Sequence, residues 1–219
     1  GQFAETAALL DELADLDAGE SASLDVRRLA ALPAPRARNL LRRRLELAGA
    51  SLGQGGLHEA LRQVLTARAD ARLEIRFGAV SLRRHRGRVY CVPVQEANST
   101  GSVLTWRGEP EMDLDGTGVL RFEPAASGGI RLGPEPVSIR FREGGERLRP
   151  DARRPRRPLK DLLRESSIAP WRRDRLPLVY VGERLAWAAM IGADADFLAG
   201  PGEEGWSLAW EPDALISPD

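Results

Sequence analysis

"RLEIRFGAVSLRRHRGRVYCVPV", Arg72–Val94, is the stretch on which the fold class turns. Apolar and polar residues alternate along it, and Gly78 and Gly87 divide it into three pieces, which reads as a small three-stranded meander. Upstream the period is helical. "AETAALLDELADLDAGE", Ala4–Glu20, repeats Ala8, Leu9, Leu13 and Leu16 with acids between them and reaches Gly19 where a helix would stop, so an amphipathic helix is expected. Asp25 is placed to cap a second, short helix through Leu32. "PAPRARNLLRRRLELAG", Pro33–Gly49, predicts a third, with Pro35 in its first turn and Gly49 past its end. Its residues Ala37, Leu40, Leu41, Leu45 and Ala48 share one face. Arg36, Arg38, Arg42 and Arg43 project from the other, so a basic outer face is expected on a buried helix. After the turn "GQGG", Gly53–Gly56, a fourth helix carries Leu57, Leu61, Val64 and Leu65 inward and leaves Arg62 and Arg68 outward. Arg83, Arg84, Arg86 and Arg88 of the meander are expected to extend the positive surface.

Beyond the meander, "EANSTGS", residues 96–102, is short, polar and rich in breakers, and reads as a linker. Strand-like segments follow, "VLTW", "GVLRFEP" and "VSIRF", each punctuated by Gly or Pro. A short helix starts after Pro158, with Leu159, Leu162 and Leu163 on one side and Lys160 and Arg164 flanking the other. "PLVYVGERLAWAAMI", Pro177–Ile191, reads as a hairpin turning at Gly182–Glu183, and a last strand, "WSLAW", is expected to join the same sheet. The expected architecture is α+β: a helical domain over residues 1–95 ending in a small meander, a linker over 96–102, and a strand-rich α/β domain over 103–219.

Composition removes several function classes. No apolar run approaches the roughly 18–20 residues of a membrane span, and the first residues lack a signal pattern, so the cytoplasm is the expected compartment. One cysteine, Cys91, cannot form an internal disulfide, and two histidines, His58 and His85, offer no zinc-ligand spacing. "GQGG" lacks the Lys-Ser/Thr of a phosphate-binding loop, "GESAS" has no histidine in a plausible triad, and "EMDLDGTG" lacks the terminal Glu of a calcium loop. No catalytic residue and no bound cofactor is expected in this chain.

Charge points elsewhere. The 32 basic and 32 acidic residues cancel, yet they are segregated: residues 1–26 hold seven acids and no base, 27–90 hold 15 bases against 4 acids, and 137–175 hold 13 against 6. Two basic zones separated by acidic ones suit a polyanion. Of the 32 bases only Lys160 is a lysine. In "RRPRRPLKDLLRESSIAPWRRDRLPL", Arg153–Leu178, Arg156, Arg157 and Lys160 are placed to close around an anion at the helix start, with Pro158 removing one donor. Trp171 reads as a packing anchor. With few aromatics on offer for base stacking, arginine faces suit the phosphates of a structured duplex better than single strands.

The stretch "GGERLRP…RRPLKDLLRESSIAPWRRDRLPLVYVGERLAWAAMIG", Gly144–Gly192, resembles the C-terminal domain of bacterial tRNA(Ile)-lysidine synthetase, with its paired glycines, short Leu-Lys helix, Pro-Trp and Arg-Asp signature and following hairpin. The helices and meander resemble the middle, substrate-recognition domain of the same family. Asp161 stands where the family often has a second lysine, Ala169 replaces a proline, and the arginine run at 153–157 is richer than usual. The resemblance implies a fragment lacking the N-terminal catalytic domain and its SGGxDS loop, for which ATP and magnesium are the expected cofactors. The family joins lysine to the wobble cytidine of an isoleucine tRNA. By resemblance the middle domain grips the anticodon stem, through Arg36, Arg38, Arg42 and Arg43, and the C-terminal domain the acceptor stem, through Arg157, Lys160, Arg172 and Arg173. The implied partners are the isoleucine tRNA and the catalytic domain of the same polypeptide, with no membrane; a homodimer stays open. Two rivals stand beside this reading: a protein-interaction module docking basic faces on acidic partners, and a standalone hydrolase with an unrecognised site.

Overall fold

The change of period at Arg72 is a change of structure. The computed structural model describes residues 1–19, 21–50, 56–68, 71–94, 103–166 and 168–212, and the chain divides into two compact units, Gly1–Glu96 and Ala97–Ser217. The expected linker at 96–102 and residues 53–55 of the glycine turn lie outside the described residues. Helices lead and strands follow, so the fold is α+β.

The first unit runs α1 (Gln2–Ala18), β1 (Leu24–Asp25), α2 (Val26–Ala31), α3 (Ala34–Leu47), α4 (Gly56–Thr66), β2 (Glu74–Phe77), β3 (Val80–His85) and β4 (Arg88–Pro93). Asp25 caps α2: its Oδ1 accepts the backbone N–H groups of Arg27 at 2.8 Å and Arg28 at 3.0 Å. The meander forms as β2, β3 and β4 and gains a fourth member, β1, whose Leu24 and Asp25 pair with Val89 and Arg88. Two residues are too few for a period to show, which is why the sequence pattern misses β1. Leu41, Leu45 and Val64 of the helices and Val80, Leu82 and Val89 of the strands are buried in one core. The α4 stripe is rotated from its expectation, with Ala60, Leu61 and Val64 inside and Leu65 at the edge, 36% exposed.

In α1 the expected apolar face is inverted. Its buried residues are Ala14 and Ala18, while Leu9 is 65% and Leu16 79% exposed. Leu13 is half-buried, and the acids between the small residues pair with the arginines of α3.

The second unit contains β5 (Leu104–Trp106), β6 (Glu111–Asp113), β7 (Gly118–Ala125), β8 (Val137–Arg140), β9 (Arg147–Leu148), β10 (Arg157–Pro158), α5 (Leu159–Glu165), α6 (Pro170–Arg173), β11 (Leu178–Val181), β12 (Arg184–Ala188), β13 (Gly192–Ala193), a 3-10 turn at Ala195–Phe197, and β14 (Gly205–Pro212). The hairpin β11–β12 turns at Gly182, whose φ of 56° suits glycine. It sits in a five-stranded sheet of order β13-β12-β11-β8-β5. The last strand does not join that sheet. Instead β14 pairs along its whole length with β7, Gly205 opposite Ala125 through Pro212 opposite Gly118, in a three-stranded sheet of order β14-β7-β6. Trp106 connects the layers by stacking on Phe122 at 4.8 Å and meeting Trp206 edge-on at 5.0 Å. β9 and β10 form a separate two-stranded clip that delivers α5, whose Leu159 and Leu163 are buried in the unit's core.

Candidate nucleic-acid interface

The expected basic outer face of α3 is covered. The acids of α1 lie on it: Arg43 reaches Asp11 at 3.0 Å and Asp15 at 3.1 Å, Arg42 reaches Asp11 at 2.5 Å and also pairs with Glu46, and Arg36 pairs with Asp17. Asn39 adds a hydrogen bond to the Leu10 carbonyl at 2.5 Å. The Arg42 hydrogen bond is the main cause that holds the Asp11 carboxyl below its ordinary value. Arg38 stands apart, with Nη1 3.3 Å from His58 Nδ1 and no carboxylate in reach among the described residues. Three of the four stem-side arginines therefore meet the negative block that precedes them in sequence. These pairs are part-exposed, so each contributes little and weakens with salt.

The meander arginines are also engaged. Arg84 donates to the carbonyls of Val64 at 2.9 Å and Ala67 at 2.6 Å, closing the C-terminal end of α4. Arg88 donates to Ser23 at 2.6 Å and also bonds Ser21, fastening β4 to the segment before β1. Arg83 pairs with Glu74 at 3.0 Å. The alternation that identifies the strands cannot distinguish such internal ties from surface charge.

In the second unit the arginine run at 153–157 is held from inside. Asp194, fully buried, accepts the Arg149 backbone N–H at 2.8 Å and the Asp196 N–H at 3.1 Å, and pairs with Arg156 Nη1 at 2.8 Å. Asp196 gathers Arg149, Arg156 at 2.8 Å and Arg184 at 3.0 Å. Arg157 pairs with Glu165 and, by its hydrogen bond, holds that carboxyl below its ordinary value. Arg156 and Arg157 thus do not converge with Lys160 on a shared anion position. Leu159 N–H, the first donor of the expected helix-start site, is used by the Glu146 carbonyl at 2.8 Å.

A different cationic set remains on this unit. Arg147, Arg153, Lys160 and Arg164 are exposed and have no carboxylate partner among the described residues. They lie on the β9–β10 clip, its connecting loop and α5. Arg172 and Arg173 sit on α6, both half-buried, with Arg173 Nε donating to the Ile168 carbonyl at 2.9 Å. Arg142, nearby in sequence to the paired glycines, pairs with Asp174 at 3.0 Å and so ties the end of α6 to the segment before β9. Sequence reading overlooked Arg142 and Arg147. Their signal was the Gly144–Gly145 turn between them, closed by Glu146, whose Oε1 accepts the N–H groups of Glu143 and Gly144 at 2.7 Å each. Cys91 offers no nucleophile: burial pushes its thiol up to about 12. No helix among the described residues is long and apolar enough to cross a membrane.

A family model described as the TilS substrate binding domain matches residues 24–90, and one described as the TilS substrate C-terminal domain matches residues 137–210. The tRNA(Ile)-lysidine synthase of Nitrosomonas europaea is 37% identical over 219 residues, covering 96% of this chain and 48% of the relative. That of Aromatoleum aromaticum is 38% identical over 218 residues, covering 96% and 51%. The crystal structure of a TilS C-terminal domain aligns with a TM-score of 0.42 and 19% identity, over 51% of this chain and 98% of that one. The chain spans about half the length of the curated relatives it matches. By the two matched models and these relatives, the chain belongs to the tRNA(Ile)-lysidine synthase family, of which it carries the substrate-binding and C-terminal domains.

Proposed function

We propose that this chain is the RNA-gripping half of a tRNA(Ile)-lysidine synthase, a cytoplasmic ATP-dependent ligase that joins lysine to the wobble cytidine of an isoleucine tRNA. The observation that carries the reading is the set of exposed cations without carboxylate partners among the described residues, Arg147, Arg153, Lys160 and Arg164, on a domain matched to the family's substrate C-terminal model. Such groups keep their full charge for phosphate, whereas matched arginines must first exchange a carboxylate. Lys160, Arg172 and Arg173 form the acceptor-stem side of the grip, joined by Arg157 once it exchanges Glu165 for a phosphate. On the first unit Arg38 meets the anticodon stem directly, and Arg36, Arg42 and Arg43 do so by exchanging the carboxylates of α1 for phosphates. Two modest grips on one folded RNA combine, because the second is intramolecular once the first has formed. ATP, magnesium and the bond-forming step belong to the portion of the relatives outside this chain, which by itself binds RNA without modifying it.

Titrating the chain with isoleucine tRNA across a range of salt tests this. Phosphate gripping predicts log K falling linearly with log salt, at about −0.7 to −0.9 per phosphate contact. A flat response would overturn the reading in favour of a module that docks on acidic proteins.

A further inference from the structure

We infer that a cavity beside the Gly144–Gly145 turn seats a terminal phosphate of the bound RNA, its 5′-monophosphate. The inference rests on the RNA-gripping reading above and adds to it a ligand group and a place. The cavity has a volume of about 230 Å³ and is lined by Arg142, Gly145, Glu146, Arg147, Pro158 and Lys160. That lies below the roughly 300–1,000 Å³ of sites that enclose whole small molecules, so it fits one charged group rather than a nucleotide.

Its charge suits a dianion. Glu146 is the one carboxylate in the lining, and it is engaged within the protein: Oε1 accepts two backbone N–H groups at 2.7 Å, and Oε2 faces Arg142 Nε at an ion-pair distance of 3.7 Å. Arg142 is further matched by Asp174 at 3.0 Å. Arg147 and Lys160 are left as two charges with no carboxylate among the described residues; Arg147 Nη2 is steered by the Arg156 carbonyl at 2.7 Å. A phosphate monoester carries about −1.5 to −2 near pH 7, against −1 for a phosphodiester inside a strand. Concavity selects in the same direction. A terminal phosphate can enter a recess from its free side, while an interior one is flanked by chain on both.

The 219-residue chain is titrated with isoleucine tRNA bearing either a 5′-monophosphate or, after phosphatase treatment, a 5′-hydroxyl. The expected result is binding about tenfold weaker for the hydroxyl form, the size of one charge-assisted contact. In Lys160→Gln and in Arg147→Gln the ratio between the two RNAs falls to about one. Both side chains are exposed, and Lys160→Gln carries the test should Arg147→Gln not fold. Equal binding of the two RNAs by the parent chain overturns the terminal-phosphate seat alone. An undiminished ratio in both variants places the seat elsewhere and also overturns it. Binding of neither RNA overturns the RNA-gripping reading, and this inference with it.

Discussion

Replacing Asp194 by Asn should loosen the second unit by an amount set by three hydrogen bonds and an ion pair. Oδ2 accepts the Arg149 N–H at 2.8 Å and pairs with Arg156 Nη1 at 2.8 Å, and Oδ1 accepts the Asp196 N–H at 3.1 Å and Arg156 Nη2 at 3.2 Å. Whichever oxygen becomes NH2, two donors then face a donor. Breaking a buried ion pair from one side costs about 3–5 kcal/mol, but Arg156 is a third exposed and can recover some water, so about 2–4 kcal/mol is expected. For a domain of this size that is a fall in Tm of roughly 10 °C. The assay is built into the sequence: all five tryptophans, at 106, 171, 187, 206 and 210, belong to the second unit, so intrinsic fluorescence reports its melting. A Tm within about 2 °C of the parent would refute the view that Asp194 fastens the arginine run to the loop after β13.

Other outcomes follow from the same geometry. In Gly205→Ala the new Cβ would lie 2.2 Å from the Gly128 carbonyl oxygen, a backbone atom that cannot swing away; thermal melting should show a loss of about 1–3 kcal/mol, and a neutral result would contradict the close approach of the Gly128–Gly129 turn to Gly205. Cys91, whose thiol is pushed up to about 12 by burial, should resist iodoacetamide at pH 8 in the native chain and react readily in denaturant. The α1 to α3 contact is made of ionised pairs in which hydrogen bonding to arginine depresses the Asp11 carboxyl, so its contribution is fully present above the ordinary carboxylate range and is lost as pH falls through the depressed value. Amide exchange in α1 should therefore rise relative to α3 as acid is added, and parallel behaviour of the two helices would count against it.

Much of the fold was legible because local pattern and global fold agree there. The α3 stripe of Ala37, Leu40, Leu41 and Leu45 follows the helical period and is buried. Asp25 caps where its residue type says it should. The turns at Gly78 and Gly87 carry positive φ, as their position between strands requires. What was not legible is pairing across sequence distance. WSLAW reads as a strand, but its partner is β7, some 85 residues away, and nothing in its own pattern chooses between two sheets. α1 looks amphipathic, yet its acids decide its packing because the arginines that hold them lie about 20 to 30 residues later. The same limit governs the site. Arg156 and Lys160 are four positions apart and equally basic on paper, but the fold pairs the first with two carboxylates and, among the described residues, pairs the second with none.

Lys160 allows the most direct measurement of where RNA sits, since it is the only lysine in the chain. Its rate of acetylation by an amine-selective reagent, read by mass spectrometry with the N-terminal amine as internal reference, can be followed with and without saturating isoleucine tRNA. The proposed RNA grip through Lys160 predicts that tRNA slows Lys160 acetylation at least severalfold at low salt and that added salt restores it. An unchanged rate while tRNA is demonstrably bound would place the RNA on another surface and contradict the account.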